Sequence, residues 1–191
     1  MPVATALVAW ATWRALGGAS QSGGFIGAVG LFALSYIGIT ISLVDTDGRF
    51  VYYVLPEGRA IRYGAIVGED GQAWSGVATV ARKEEWPGWT PTEGEKRRLG
   101  PLPNYVEGGA RNPMGARAMY LYAGGKDTLY RIHGTNQPEY IGHAISSGCI
   151  RLTNEDVIDL YDRVKMGALV VVLGPKQGTG RVASAGSSGL N

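Results

Sequence analysis

The chain has 191 residues, which suits one domain of ordinary size, and its hydrophobic fraction of 45% is sufficient for a normal core. The net charge is +2, from 18 basic and 16 acidic residues without a basic block, so nucleic acid is not an expected partner. One cysteine excludes an internal disulfide, and the 30 glycines favour a turn-rich, mostly β domain.

An uncharged segment lies near the N-terminus. Residues 15–44 contain no charged side chain, and within them Gly24 to Val44 has about the length that spans a bilayer, roughly 20 residues. Arg14 precedes this segment and Asp45 follows it, which by the positive-inside tendency indicates a cytoplasmic N-terminus and an exported C-terminus. We therefore predict export, or membrane association through this segment.

A competing interpretation assigns the end of the uncharged segment to the folded domain. Apolar residues at 39, 41 and 43 alternate with Thr40 and Ser42, a pattern typical of a strand over residues 38–44. The apolar run before this strand would then be short for a membrane span. Residues 1–37 are accordingly predicted to be an export signal, an anchor or an extension, and the folded domain is predicted to occupy residues 38–174.

The middle of the chain is rich in strand-forming residues. Runs bounded by turn residues predict strands at 50–55, 59–67, 73–81, 118–122, 128–133 and 168–173. Short glycine-containing turns join the first run to the second and the fourth to the fifth, so each of these pairs is predicted to form a β-hairpin.

Residues 83–113 are rich in tryptophan and proline and are predicted to be irregular. A loop of that length inside a compact domain is usually functional, for example as a lid, and the alternative is a surface insertion packed by its own tryptophans.

One helix is predicted near the C-terminal end. Thr153 or Asn154 is a suitable N-cap, apolar residues from Val157 to Val164 follow at helical spacing, and Gly167 is expected to end the helix. Residues 175–191 are rich in glycine and serine without periodicity, which indicates a flexible tail.

The only cysteine lies in a segment suited to nucleophilic chemistry. In an extended backbone Ser147, Cys149 and Arg151 share one face, while the alternate apolar residues point to the core. Arg151 could lower the pKa of the thiol or bind a substrate carboxylate. Gly148 would let a substrate approach the sulfur and leave backbone N–H groups for an oxyanion.

A thiol nucleophile also requires a base, and the chain has two histidines. His133 is predicted at a strand end and His143 in a loop. Spacing alone leaves three interpretations open: a Cys–His catalytic pair, a buried core cysteine with surface histidines, and a metal site of His133, His143 and Cys149 with irregular ligand spacing.

Residues 133–161 closely resemble the signature of YkuD-type L,D-transpeptidases. The matching positions are His133-Gly134-Thr135, Ile141-Gly142, Ser146-Ser147-Gly148-Cys149-Ile150-Arg151 and Asn154-Glu155-Asp156. The resemblance implies a mainly β, β-sandwich-like catalytic domain with one short helix after the catalytic cysteine. It also implies an enzyme that acts on bacterial peptidoglycan without a metal or other cofactor.

The same resemblance assigns roles to residues. Cys149 corresponds to the nucleophile that attacks the stem peptide between the third residue, an L-centred diamino acid, and D-alanine. D-Alanine leaves, and the acyl group passes to an amine. His133 corresponds to the general base, Gly148 and Cys149 to the oxyanion-hole segment, and Arg151 to the arginine that shapes the site. Family members are commonly acylated by carbapenems, which we expect here at Cys149.

The remaining motif positions, Ser146, Ser147, Gly134 and Thr135, are predicted to shape the site or contact substrate. Many members have histidine in place of Ser147, a difference that would alter the electrostatics of the thiol.

The family resemblance also implies a bacterial envelope, periplasmic or extracytoplasmic location. Two alternatives stay open: an L,D-carboxypeptidase that uses the same site with water, and a non-catalytic peptidoglycan-binding module. A papain-type peptidase is disfavoured because its cysteine precedes its histidine.

Overall fold

The computed structural model describes residues 41–56 and 59–174. In this part of the chain ten strands and two α-helices follow one another: β1 (Ile41–Asp45), β2 (Phe50–Val54), β3 (Ala60–Gly64), β4 (Val67–Gly68), β5 (Gly76–Glu85), α1 (Glu93–Leu99), β6 (Arg117–Ala123), β7 (Lys126–His133), β8 (Ala144–Ser146), β9 (Ile150–Arg151), α2 (Asn154–Arg163) and β10 (Leu169–Leu173). A 3₁₀ turn at Pro138–Tyr140 precedes β8. The predicted mainly β fold with a short helix after Cys149 is confirmed.

Eight of the strands form one sheet, in the order β3-β2-β1-β10-β5-β6-β7-β9, and β4 pairs with β8 in a second, two-stranded sheet. Most pairs in the large sheet are antiparallel, but β1 runs parallel to β10 and β7 runs parallel to β9. The β7–β9 pair is the one that positions the site, because it joins the predicted histidine strand to the segment after Cys149.

The core lies between the large sheet and α2. Alternate residues of the strands point inward, as expected for a sheet with one buried face. The buried core residues include Val44, Val51, Val80, Met119, Leu121, Ile132, Ile150, Leu152, Val157, Leu160, Val164 and Val170. Ile150 and Leu152 are fully or almost fully buried, so the segment after the cysteine is anchored in the core as its sequence predicts.

The two predicted hairpins are confirmed as β2–β3 and β6–β7. The predicted strand over 59–67 is wrong in its extent, because the chain leaves the large sheet after Gly64 and Val67 pairs instead with Ala144 of β8. The strand predicted at 73–81 is shifted toward the C-terminus. It begins at Gly76, which adopts φ +147 beside the ring of Trp74.

Helix α2 begins as predicted, with Thr153 as N-cap and its hydroxyl accepting a hydrogen bond from the N–H of Asp156 at 3.1 Å. Its end differs from the prediction: the helix stops at Arg163, and Gly167 lies in the following turn with φ +81. The Lys83 ammonium donates to two carbonyls at this helix end, at 2.6 and 2.7 Å, and so stabilises the negative end of the helix dipole.

Residues 83–113 are more ordered than predicted. They contain the last part of β5 and α1, which begins with a complete capping box formed by Thr92 and Glu95. Trp89 and Val106 form a short antiparallel bridge across the segment. Asn112 is buried and holds the end of the segment, since its amide donates to the carbonyls of residues 106 and 107 and accepts from the N–H of Met114.

The strand interpretation of the end of the uncharged segment is confirmed for Ile41 to Val44, which belong to β1. This part of the proposed span at residues 24–44 is therefore strand, whereas residues 24–40 fall outside the described part. The interpretations of residues 1–37 and 175–191 also lie outside it, and the domain boundaries remain predictions. No helix within residues 41–56 and 59–174 has the length and apolar character needed to cross a bilayer.

Candidate active site

The cysteine stands in a tight turn between β8 and β9. Only Ile150 and Arg151 are strand, so the prediction of one extended strand from Ser147 to Arg151 is wrong for its first three residues. The reason is the buried hydroxyl of Ser146, which donates to the carbonyl of Cys149 at 2.6 Å and accepts from the N–H of Gly148 at 3.1 Å. Ser146 thus fixes the conformation of the loop that holds the thiol.

Gly148 is required by both conformation and space. Its φ is +119, and a Cβ there would lie 2.3 Å from the ring of Tyr130 and 2.6 Å from the carbonyl of Gln72. Tyr130 is held over the glycine by a hydrogen bond from its hydroxyl to that same carbonyl and by stacking on Trp74. Since the N–H of Gly148 is bonded to Ser146, the N–H of Cys149 is better placed to serve an oxyanion.

His133 ends β7, directly beside Arg151 of β9 in the parallel register. The side chain is 3% exposed, and its Nδ1 lies 2.7 Å from the carbonyl oxygen of Gly134. A carbonyl can only accept, so Nδ1 carries the proton. The backbone of Met114 also hydrogen-bonds to the ring. Burial, with the Arg151 charge in addition, lowers the pKa of His133 to about 3, so the imidazole is neutral near pH 7.

The Cys149 thiol is partly exposed, and its sulfur lies 4.0 Å from the carbonyl oxygen of Leu129. Desolvation raises the pKa of the thiol, while the backbone N–H of Arg131 and the charges of Arg131 and Arg151 lower it. Burial is the larger effect, so a neutral thiol faces the same cleft as a neutral imidazole in the free protein. Such a pair transfers its proton during attack on a carbonyl.

The carbonyl near the thiol comes from a strained point of β7. Leu129 has φ +64, in the left-handed region that a leucine rarely adopts. Two side chains of the same strand hold this backbone, because Asp127 accepts from the N–H of Leu129 and Thr128 accepts from the N–H of Tyr130. Strain of this kind beside a reactive group is typical of functional sites.

A small cleft, partly open to solvent, contains these groups. It is lined by Trp89, Glu95, Pro113, Met114, His133, Ser147, Cys149 and Arg151. Half of the lining therefore comes from residues 89–114, and this supports the functional interpretation of the long segment. Arg98 of α1 joins the two halves, since its guanidinium donates to the hydroxyl of Ser147 and pairs with Glu69 at 3.4 Å.

The structure thus brings His133, Ser147, Cys149 and Arg151 to one cleft. Gly134 and Thr135 lie behind it: a Cβ on Gly134 would be 2.4 Å from the Asn154 side chain, and the buried Thr135 hydroxyl accepts from a backbone N–H. Their contacts position the end of β7.

His143 packs edge-on against Tyr140 and does not line the cleft. The described residues contain no group of three side chains that could hold a metal ion.

Sequence reasoning missed the residues that the long segment and β7 contribute, chiefly Glu95, Arg98, Trp89 and Arg131. One local signal was available, because Thr92 and Glu95 have the spacing of a capping box. No sequence signal marked the contact of β7 with the thiol, because Arg131 acts on the thiol through its backbone N–H as well as its charge.

Comparison with known proteins gives consistent matches. The L,D-transpeptidase catalytic domain family, YkuD, matches residues 39–172. The probable L,D-transpeptidase ErfK/SrfK of Escherichia coli (strain K12) is 38% identical over 145 residues, which cover 71% of this chain and 44% of that protein. A putative L,D-transpeptidase in the ATP synthase subunits region (ORF 5) of Fuscovulum blasticum is 33% identical, covering 72% of this chain and 71% of that protein.

Among solved structures, L,D-transpeptidase 3 from Mycobacterium tuberculosis in complex with a faropenem-derived adduct matches with a TM-score of 0.54 and 16% identity, covering 71% of this chain and 60% of that chain. This match shows a shared fold. The Escherichia coli relative is much longer than the matched region, since the chain spans less than half of its length. From the family match and the two sequence relatives together, the chain belongs to the YkuD family of L,D-transpeptidase catalytic domains.

Proposed function

We propose that the chain is a peptidoglycan L,D-transpeptidase with Cys149 as nucleophile and His133 as general base. The observation that supports this most strongly is the cleft in which a partly exposed cysteine, a neutral histidine with its proton on Nδ1 and the Arg151 guanidinium lie together. The family signature places the same three residue types at these positions.

In the proposed acylation step, the sulfur of Cys149 attacks the carbonyl of the third stem residue, a diamino acid, while Nε2 of His133 takes the thiol proton. The N–H of Cys149 donates to the developing oxyanion, because that of Gly148 is engaged by Ser146. The carbon–nitrogen bond to D-alanine then breaks, and His133 returns the proton to the leaving amine. A thioester on Cys149 remains.

In the second step an amine attacks the thioester, the carbon–sulfur bond breaks and the thiol is regenerated. An amine from a second stem gives a link between two third residues, a free D-amino acid gives exchange, and water gives the carboxypeptidase product. These substrates imply a bacterial envelope location on the periplasmic or extracytoplasmic side, with membrane association through the N-terminal segment as a further proposal. Acylation of Cys149 by β-lactams of the carbapenem class is a further proposal that follows from the family resemblance.

The experiment is mass spectrometry of the products after incubation of the full chain with a disaccharide-tetrapeptide muropeptide. We expect dimers joined through third residues, with release of D-alanine, and an imipenem adduct of one molecule per chain. Tripeptide as the sole product would point to the carboxypeptidase, and unchanged tetrapeptide without an adduct would contradict the proposal.

Cys149→Ala is the matched variant for this experiment. It should lose both the products and the adduct completely while keeping the thermal midpoint, because the group removed is small and partly exposed. Any covalent adduct on the alanine variant would disprove the assignment of the nucleophile.

A further inference from the structure

Helix α1 is fixed to the cysteine loop and not merely packed near it. Arg98 donates to the hydroxyl of Ser147, two positions before Cys149, and pairs with Glu69 at 3.4 Å. Glu69 is itself tied to the loop, since its N–H donates to the carbonyl of Ser146 at 3.0 Å. The position of α1 relative to the thiol is therefore determined by direct contacts.

Glu95, one turn before Arg98, contributes an acidic side chain to the lining of the cleft. Its orientation is set by the capping box, in which Oε2 accepts from the N–H of Thr92 at 2.8 Å and from the hydroxyl of Thr92 at 2.9 Å. Both bonds use the same oxygen, and Oε1 makes no hydrogen bond with the described residues. One oriented carboxylate oxygen is thus available to a ligand.

Opposite charge lies in the same cleft. Arg151 lines it, and its buried Nε has no hydrogen-bond partner within the described part of the chain. Glu95 and Arg151 influence one another electrostatically, yet the ion pairs of residues 41–56 and 59–174 include none between them. The cleft of the nucleophile is therefore lined by an anion and a cation that are not paired with each other.

A separated carboxylate and guanidinium match a ligand that bears an ammonium and a carboxylate on one carbon. The ligand ammonium then pairs with the carboxylate of the cleft, and the ligand carboxylate pairs with the guanidinium. Both ion pairs are stronger than in water because the cleft is partly desolvated. In the reaction proposed above, the molecules with this chemistry are the free D-amino acid and the D-centred end of a diamino acid side chain.

We propose that Glu95 and Arg151 form an α-amino acid subsite that binds the acceptor of the acyl group, with Glu95 on the ammonium and Arg151 on the carboxylate. This inference rests on the proposed function and adds the residue that selects the acceptor. Once bound, the acceptor loses one proton to His133 and attacks the thioester carbonyl. The carbon–sulfur bond breaks, the thiolate takes up a second proton from the attacking nitrogen, and His133 releases its proton to solvent.

The test compares acceptors in the exchange of D-alanine by D-methionine, with 3-(methylthio)propylamine as the matched amine that lacks the carboxylate. The wild-type chain should prefer D-methionine by at least about tenfold in kcat/KM, since the amine forfeits the contact with Arg151. Glu95→Gln should raise KM for both acceptors about 10- to 30-fold, which is the loss of one charge-assisted hydrogen bond.

Glu95→Gln preserves the capping box, because a glutamine oxygen accepts the same bonds from Thr92. Glu93→Gln is the control: it removes the same charge from the same helix, but Glu93 is exposed, pairs with Lys96 and lies outside the cleft. Acylation by imipenem, which needs no acceptor, reports separately on the thiol.

Three results would overturn the subsite: an unchanged acceptor KM in Glu95→Gln, an equal change of KM in Glu93→Gln, or equal kcat/KM of the wild-type chain for the two acceptors. In each case, imipenem acylation and D-alanine release by the wild-type chain would still support the transpeptidase. A wild-type chain that neither reacts with imipenem nor releases D-alanine would overturn the proposed function and the subsite with it.

Discussion

At the scale of single residues, the chemistry proposed for the cleft depends on the charge state of His133. Its side chain is 3% exposed, Nδ1 bonds the carbonyl of Gly134, and burial lowers its pKa to about 3. The histidine is therefore already a free base at every pH at which the enzyme is expected to work. This differs from a thiolate–imidazolium pair, in which the histidine would be charged before the substrate arrives.

We predict that His133→Ala slows acylation by imipenem about 10²- to 10⁴-fold, the usual cost of losing a general base. Because its pKa lies near 3, His133 stays deprotonated from pH 4 to 8, and the wild-type kcat/KM profile should show no inflection near pH 6.5. Stopped-flow absorbance across this pH range measures both. His143→Ala, in a histidine outside the cleft, should react at the wild-type rate, and equal rates for the two variants would refute the role of His133.

Residue chemistry within the motif could be predicted from the sequence, but the use of each backbone group could not. The choice of Cys149, His133 and Arg151 follows from residue type and spacing. That the N–H of Gly148 bonds the Ser146 hydroxyl follows only from the turn conformation. The charge of Glu95 could not be assigned to the cleft either, because its neighbours there are far away in sequence.

At the scale of elements, the long segment before β6 forms one wall of the cleft and is held at its end by Asn112. This buried side chain makes three hydrogen bonds with backbone groups, at 3.0, 2.8 and 2.8 Å. They fix the backbone immediately before Met114, which lines the cleft. Asn112 therefore holds the C-terminal part of this wall, and Arg98 holds α1 against the cysteine loop.

Asn112→Ala should release the clamp and leave buried backbone groups unpaired, at a cost of about 2–3 kcal/mol in the free energy of unfolding. The KM for muropeptide should rise more than the rate of imipenem acylation falls, since the thiol and His133 lie on other elements. Urea denaturation and steady-state kinetics measure these effects. Asn136→Ala is the control, because Asn136 makes one exposed bond to Arg111. A loss of stability as small as that of the control would show that Asn112 is not the clamp.

Strands and helices marked by an apolar pattern, a glycine turn or a cap could be predicted from the sequence. Elements without an apolar pattern could not. The hairpins β2–β3 and β6–β7 have both signals, and α2 has an N-cap with a buried apolar face. Helix α1 buries no residue, so no hydrophobic periodicity marks it, although its Thr92–Glu95 cap has a recognisable spacing. Gly64 ends β3 within an apparently continuous β-rich run because the chain turns there to pair with β8.

At the scale of the whole molecule, the first and last described strands are neighbours in the middle of the large sheet. β1 pairs parallel to β10 over five residue pairs and antiparallel to β2 over four. Parallel pairing of strands so far apart in sequence leaves no local signal, so the strand order could not be predicted from the chain. The arrangement means that the core depends on residues near the two ends of the described region, such as Val44 and Val170.

The edge strand β3 is connected to α2 by a polar contact, which gives a test of how the sheet and helix hold together. The hydroxyl of the buried Tyr63 donates to Asp159 at 2.5 Å, and Asp159 also accepts two bonds from Arg163. These contacts, with Arg163 contributing most and Tyr63 next, hold the pKa of Asp159 below its ordinary value. Burial and the neighbouring carboxylate raise the pKa of Tyr63, so the phenol remains the donor.

Tyr63→Phe should therefore lower the free energy of unfolding by about 1–2 kcal/mol at pH 7, the loss of one hydrogen bond to a charged group. A carboxylate with a lowered pKa stabilises the fold above its unfolded pKa, and that stabilisation disappears as protons bind, so the difference should shrink below about pH 4. Urea midpoints at pH 7 and pH 3.5 measure both. Tyr53→Phe is the matched control, since its hydroxyl makes only a long, exposed bond of 3.4 Å to the Arg163 carbonyl. Equal losses in the two variants, or a Tyr63→Phe loss independent of pH, would mean that Asp159 does not join β3 to α2.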